Sequence, residues 1–136
     1  MGALDNYKRQ HQEVLAMATT MSTKLDAATV AAEAPAIRAA LSTMAGKLLM
    51  HLALEDKSLY PRLIASTNAK ARAVAQAFFA QHGGLEKALK AFDERWRDAA
   101  TIQAKAGDFV TETKALFGVL QERVRREEAE LYPLAE

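Results

Sequence analysis

The sequence predicts an all-α protein, an up-down-up-down antiparallel four-helix bundle. Three observations carry that reading. The composition favours helix: it is rich in Ala, Leu, Lys, Glu, Gln and Arg, with six glycines and three prolines in 136 residues. Apolar residues recur in steps of three and four, which keeps them on one helix face. No stretch holds the two-residue alternation of a strand, so no strand is expected.

The first helix is expected over about residues 5–24, with Leu4, Tyr7, His11, Leu15, Ala18 and Leu25 as its inward stripe. The second is expected over about 34–60, with the stripe Ile37, Leu41, Met44, Leu48, His51, Glu55 and Leu59. The third is expected over about 69–101, opened by the cap signal Ser66-Thr67-Asn68. Its stripe is Ala75, Phe78, His82, Leu85 with Glu86, Leu89, Phe92 and Trp96. The fourth is expected over about 108–132, after a turn signal at Gly107, with Phe109, Thr113, Leu116, Leu120, Arg123, Glu127 and Leu131 facing inward. Pro61 and Pro133 are read as sitting near helix ends. Short connections favour antiparallel neighbours, and helices of this size are rods of roughly 30–45 Å.

Length suits a single domain over residues 1–136. Eighteen basic residues against seventeen acidic ones leave a formal net charge of +1, so no basic surplus draws nucleic acid or an anionic membrane. There is no cysteine, which excludes disulfides, thiolate nucleophiles, iron–sulfur clusters and Cys-based zinc sites. Any metal must be held by His nitrogen and carboxylate oxygen. The opening MGALDNYKRQ lacks the apolar core of a signal peptide, and no window is apolar enough to span a bilayer, so a cytoplasmic protein is expected.

The stripes carry unusual polar residues. All three histidines, His11, His51 and His82, fall on inward faces, as do Glu55, Glu86, Glu127 and Arg123. Burying such groups costs several kcal/mol each unless they are paired or bind metal. A lone inward histidine is ordinarily a satisfied core residue. Three of them with three carboxylates point to a candidate metal site made of His11, His51, Glu55, His82, Glu86 and Glu127.

The chain also repeats itself. His51-x-x-x-Glu55-Asp56-x-x-Leu59-Tyr60-Pro61 aligns with Arg123-x-x-x-Glu127-Glu128-x-x-Leu131-Tyr132-Pro133, and Gln10-His11 with Gln81-His82. Two helical hairpins related by a pseudo-two-fold axis would bring the polar positions together. His51 with Glu55, and His82 with Glu86, stand one helical turn apart, so each pair can reach one metal or two adjacent ones. Imidazole and carboxylate suit iron, manganese or zinc. The Glu-x-x-His of ferritin-like di-iron proteins is absent, its positions holding Lys8, Leu48 and Phe79. His-Glu-x-x-His is absent too, so a zinc protease is not supported.

His11, then His51-x-x-x-Glu55, then His82, then Glu127, with Leu-Tyr-Pro after the second and last blocks, resembles the hemerythrin-like (HHE cation-binding) family. The resemblance covers nearly the whole chain. It implies a bundle around a non-haem di-iron centre that carries or senses dioxygen, handles iron, or responds to nitric oxide or peroxide. It further implies His11 and His51 on one iron, His82 on the other, and Glu55 and Glu127 bridging. The chain departs from the family at Arg123, where a ligand is expected, and at Glu86, where the oxygen carriers place a further His.

Two accounts of Arg123 follow. In one, Glu86 stands in for the lost imidazole, two metals bind, and Arg123 turns outward or pairs with a carboxylate. In the other, its guanidinium takes the second metal's place, bonded to Glu127 and to Glu86, and one metal remains on His11, His51 and Glu55, with or without Glu127. The functional expectation is a protein that binds iron, dinuclear or mononuclear, and a small diatomic ligand or peroxide. It is more a binding protein than an enzyme, a carboxylate di-iron peroxidase being the weaker enzymatic reading. The alternative is a metal-free four-helix interaction module in which Arg123 replaces a metal. The other polar or soft residues receive plain structural readings. Tyr60 and Tyr132 are read as helix-end packing residues with a hydroxyl partner, Asp56 and Glu128 as solvated or bound to a neighbouring helix end, and Met17, Met21, Met44 and Met50 as core filler.

Overall fold

The structure, a computed structural model, describes residues 2–135, so the two terminal residues of the expected 1–136 domain lie outside it. Those residues form helices α1 (Ala3–Ser22), α2 (Ala27–Ala32), α3 (Ala34–Leu54), α4 (Tyr60–Ile64), α5 (Ala69–His82), α6 (Leu85–Arg95), α7 (Ala99–Ala104), α8 (Ala106–Arg126) and α9 (Tyr132–Ala135). Two π-helical turns, Glu55–Leu59 and Glu127–Leu131, join α3 to α4 and α8 to α9. There is no strand among the described residues. Among the described residues no helix is long and apolar enough to cross a membrane.

The second and fourth expected helices run on past their prolines. Tyr60 N–H donates to the Glu55 carbonyl, and Tyr132 N–H to the Glu127 carbonyl, five residues back instead of four. Pro61 and Pro133 follow directly. A proline lacks the N–H and crowds the carbonyl of a regular α-turn, and the widened turn carries the chain through it.

The third expected helix is broken twice. At the first break Gly83 N–H donates to the Phe79 carbonyl at 2.7 Å, and a Cβ there would collide with that same oxygen. The position takes only glycine, and the chain restarts as α6 after Gly84. At the second break Arg38 of α3 donates to the freed carbonyls of Trp96 at 2.9 Å and Asp93 at 3.3 Å, closing the end of α6. The short α2 lies between the first two expected helices. Asp26 caps it by accepting from Thr29 N–H at 2.8 Å, and Val30 anchors it in the core. Asn68 caps α5, as the cap signal implies, accepting from Lys70 and Ala71 N–H.

Helix α1 packs on α3 and α8, α3 on α6 and α7, α2 on α7 and α8, and α6 on α8, while α4 packs on α5. Two apolar clusters result. The larger includes Leu41, Met44, Leu48, Leu52, Leu89, Trp96, Phe109 and Leu120. The smaller includes Tyr7, Leu59, Tyr60, Leu63, Phe78, Leu131 and Tyr132. Full burial of such side chains contributes about 1.5–3 kcal/mol each. Met50 is not core filler: one residue before the inward His51, it is 65% exposed.

Along α3 the order is Leu48 and Leu52 in the larger cluster, Glu55, then Leu59 in the smaller. Along α8 it is Leu120 and Val124, Glu127, then Leu131; along α1, Tyr7, His11, then Val14. A polar layer therefore lies between two apolar ones.

Candidate metal centre

His11, His51, Glu55 and Glu127 each bring one potential ligand atom to a common point, and these atoms lie within 4.8 Å of one another. None of the four residues is more than 2% exposed. Helix α1 supplies His11, the last turn of α3 supplies His51, and each π-turn supplies its first residue, Glu55 or Glu127. The wider turn thus begins at the carboxylates, a common use of π-bulges at functional sites.

Outer hydrogen bonds fix how the imidazoles point. His11 Nδ1 lies 2.7 Å from Glu128 Oε2, and His51 Nδ1 lies 2.6 Å from Gln10 Oε1. Both partners are acceptors, so each Nδ1 carries the hydrogen and each Nε2 presents a lone pair inward. His51 Nε2 then faces Glu55 Oε1 at 3.0 Å, and His11 Nε2 faces Glu127 Oε1 at 3.2 Å. His51 Nε2 and Glu127 Oε1 are buried with no hydrogen-bond partner. Each contact is satisfied by a proton on Nε2 or by a metal cation bound to both atoms, and a nitrogen–oxygen donor set of this kind fits a first-row divalent metal.

The outer carboxylate oxygens are held by two tyrosines. Tyr132 donates to Glu55 Oε2 at 2.5 Å, and Tyr60 donates to Glu127 Oε2 at 2.7 Å. Tyr132 Oη also lies 3.1 Å from His11 Nε2. The hydroxyl partners expected of these helix-end tyrosines are the two carboxylates. Burial and the two carboxylates push both phenols far above their ordinary pKa, so both stay protonated donors.

Arg123 is 1% exposed and reaches both carboxylates. Its Nε donates to Glu127 Oε2 at 3.2 Å, and one terminal nitrogen to the His82 carbonyl at 3.0 Å. The other terminal nitrogen donates to Asp56 Oδ1 at 2.9 Å and Glu55 Oε1 at 3.3 Å. Its cation also lies 5.5 Å from the centre of the Tyr60 ring. It does not turn outward.

Of the six residues expected at the site, His82 and Glu86 stand outside the group. The sequence reading placed them one turn apart on a continuous helix, but the break at Gly83 and Gly84 removes that shared face. His82 presents its backbone carbonyl to Arg123, while its ring lies 4.8 Å from Phe78. Glu86 pairs with Lys90 at 3.1 Å and makes no bond to Arg123 among the described residues. Asp56 and Glu128 are engaged instead of solvated, through Arg123 and His11.

The electrostatics follow the contacts. Burial alone would lower the His11 pKa, but Glu127, Glu55 and Glu128 outweigh it and hold it above the ordinary value. Burial, with the charge of Glu127, raises Glu55 despite His51 and Arg123. Burial also works to raise Glu127, but His11, Arg123 and the Tyr60 hydroxyl hold it below the usual carboxylate range. For His82, burial and the charges of Arg126 and Arg123 lower the pKa.

Gln10, Tyr60, Tyr132, Asp56 and Glu128 were not legible as site residues from stripe position alone. Their signal was the repeat: Gln10 recurs as Gln81, Asp56 as Glu128, and Tyr60 as Tyr132. Compared with known proteins, the chain matches the family model of the hemerythrin HHE cation binding domain over residues 2–135. No curated protein and no solved structure matches it.

Proposed function

The chain belongs to the hemerythrin HHE cation-binding domain family, and from that premise we propose that it is an iron-binding protein whose metal presents an open position to a small ligand. We read the whole chain as one such domain, its long helices in up-down-up-down order. The ligands are His11 and His51 through Nε2, and Glu55 and Glu127 through Oε1. The observation that carries this reading is the convergence of four buried ligand atoms, with His51 Nε2 and Glu127 Oε1 left without a hydrogen-bond partner.

When bound, iron would supply a Lewis-acidic, redox-active centre able to take dioxygen, nitric oxide or peroxide. The residues supply the rest. Gln10 and Glu128 hold the two imidazoles in the tautomer that offers Nε2. Tyr60 and Tyr132 hold the carboxylates at their outer oxygens; the inner oxygen of Glu127 is left without a donor, and that of Glu55 accepts a 3.3 Å bond from Arg123. Leu52 and Val124 on one side, and Leu59 and Leu131 on the other, keep bulk water from the layer.

The runner-up, a metal-free module, draws support from the buried Arg123 network. It leaves the inner atoms of His51 and Glu127 unpaired, which is why it ranks second. The test is metal content after expression in iron-supplemented medium, with His51→Ala beside the wild type. His51→Ala removes an imidazole and leaves Glu55 poorly neutralised, so it should lose most of its bound metal. Equal metal content in the two proteins would reject the assignment.

A further inference from the structure

Resting on the metal-binding reading, we propose that Arg123 is a resident cation that fills the second of two cation positions in this layer and holds the site to one metal ion. The repeat defines both positions. His51 stands four residues before Glu55, with Nε2 3.0 Å from its carboxylate. Arg123 stands four residues before Glu127, with Nε 3.2 Å from its carboxylate. Asp56 and Glu128 are likewise equivalent in the repeat, and each accepts across the layer from the other hairpin: Glu128 from His11, Asp56 from Arg123.

The two halves offer opposite chemistry. One presents two imidazole lone pairs. The other presents N–H groups, and a guanidinium has no lone pair to give a metal. Every nitrogen of Arg123 is engaged, by Glu127, Glu55, Asp56 and the His82 carbonyl, with four bonds from its five N–H groups, so the position is filled by a fixed cation. The imidazole that symmetry would send there, His82, packs its ring 4.8 Å from that of Phe78, with Nε2 buried and without a hydrogen-bond partner, and it is not among the four residues whose ligand atoms converge. Charge agrees with one ion. Glu55, Asp56 and Glu127 carry three negative charges, and Arg123 with one divalent metal balances them. Glu128, 40% exposed, is left to solvent screening.

The experiment is a titration of the purified wild-type protein with ferrous ion under nitrogen, and separately with zinc ion as a redox-silent probe. Metal per chain is read by equilibrium dialysis and elemental analysis. One ion per chain is expected. Two ions would overturn the resident-cation assignment and leave the metal-binding reading standing; none would overturn that reading and this inference with it. Arg123→His, which trades the guanidinium for a lone pair at the same position, should take up a second ion. A folded, helical Arg123→His that still binds one ion would also overturn the inference. Arg123→Lys keeps the charge without a metal ligand and should stay at one. Should Arg123→His not fold, the wild-type and Arg123→Lys counts decide.

Discussion

Tyr132 donates its hydroxyl hydrogen to Glu55 at 2.5 Å, although 77 residues separate them in sequence. The converse bond runs from Tyr60 to Glu127, so each Leu-Tyr-Pro block serves the carboxylate of the other. The exchange ties the two π-turns together across the layer. It gives the repeated tyrosine a reason to be tyrosine: phenylalanine would fill the same apolar space and leave a buried carboxylate oxygen without its donor.

Tyr132→Phe should therefore destabilise the protein while keeping its packing. The ring still stacks on His11, at 5.5 Å between centroids. The lost hydroxyl leaves Glu55 Oε2 under-bonded, at a cost of about 1–3 kcal/mol. Denaturant unfolding of the metal-free protein measures this, and Tyr60→Phe should show a smaller loss, because Arg123 Nε still donates to Glu127 Oε2 at 3.2 Å. An unchanged midpoint in both variants would mean that the hydroxyls do not hold the carboxylates.

Gln10→Ala and Glu128→Ala should weaken metal binding without abolishing it. Neither side chain is among the four inner ligands, but each fixes an imidazole through Nδ1. Losing such an outer partner typically costs about 10–100-fold in metal affinity. Competition against a chelator of known affinity reads the change. Wild-type affinity in both variants would show that the imidazoles are oriented by packing alone.

The inward faces of α1, α3 and α8 were legible because three- and four-residue steps put His11, His51, Glu55 and Glu127 on apolar stripes, and the structure buries all four together. The pairing of His82 with Glu86 is not among the contacts of the described residues, for a local reason. An i, i+4 rule holds only on an unbroken helix, and Gly83 and Gly84 end one there. The π-turns were hidden for a similar reason: Leu-Tyr-Pro reads as a helix end unless the widened turn is considered. The sequence left two positions open for Arg123, and only packing could choose, because the choice depends on where the His82 carbonyl and Asp56 come to rest.

The break itself can be tested by substitution. Gly83→Ala puts a methyl group into the Phe79 carbonyl and against its ring. Overpacking of this kind costs about 1–3 kcal/mol. Gly46 lies in α3 with open space where a Cβ would go, so Gly46→Ala should instead stabilise by about 0.5–1 kcal/mol. Thermal melts of the two variants should shift in opposite directions. A Gly83→Ala melt at or above the wild type would show that the break tolerates a side chain.

Removing the guanidinium should have a cost that depends on pH. Arg123→Met keeps much of the buried volume but leaves Glu55, Asp56 and Glu127 facing one another without their fixed counter-charge. Breaking a buried pair from one side costs about 3–5 kcal/mol. The sign with pH comes from Glu127, whose folded pKa lies below its ordinary value of 4.5, with Arg123 among the groups that lower it. A depressed carboxylate stabilises the fold above its unfolded pKa and loses that contribution as pH falls through the folded value. In the variant the Arg123 share is gone at every pH. The gap between wild type and Arg123→Met should thus be widest near neutrality in the metal-free proteins and shrink below about pH 4.5 as the carboxylates take up protons. Denaturant unfolding at a series of pH values measures the gap directly. A gap that stays constant into acid would assign the cost to lost packing and hydrogen bonds to the His82 carbonyl, not to the ion network.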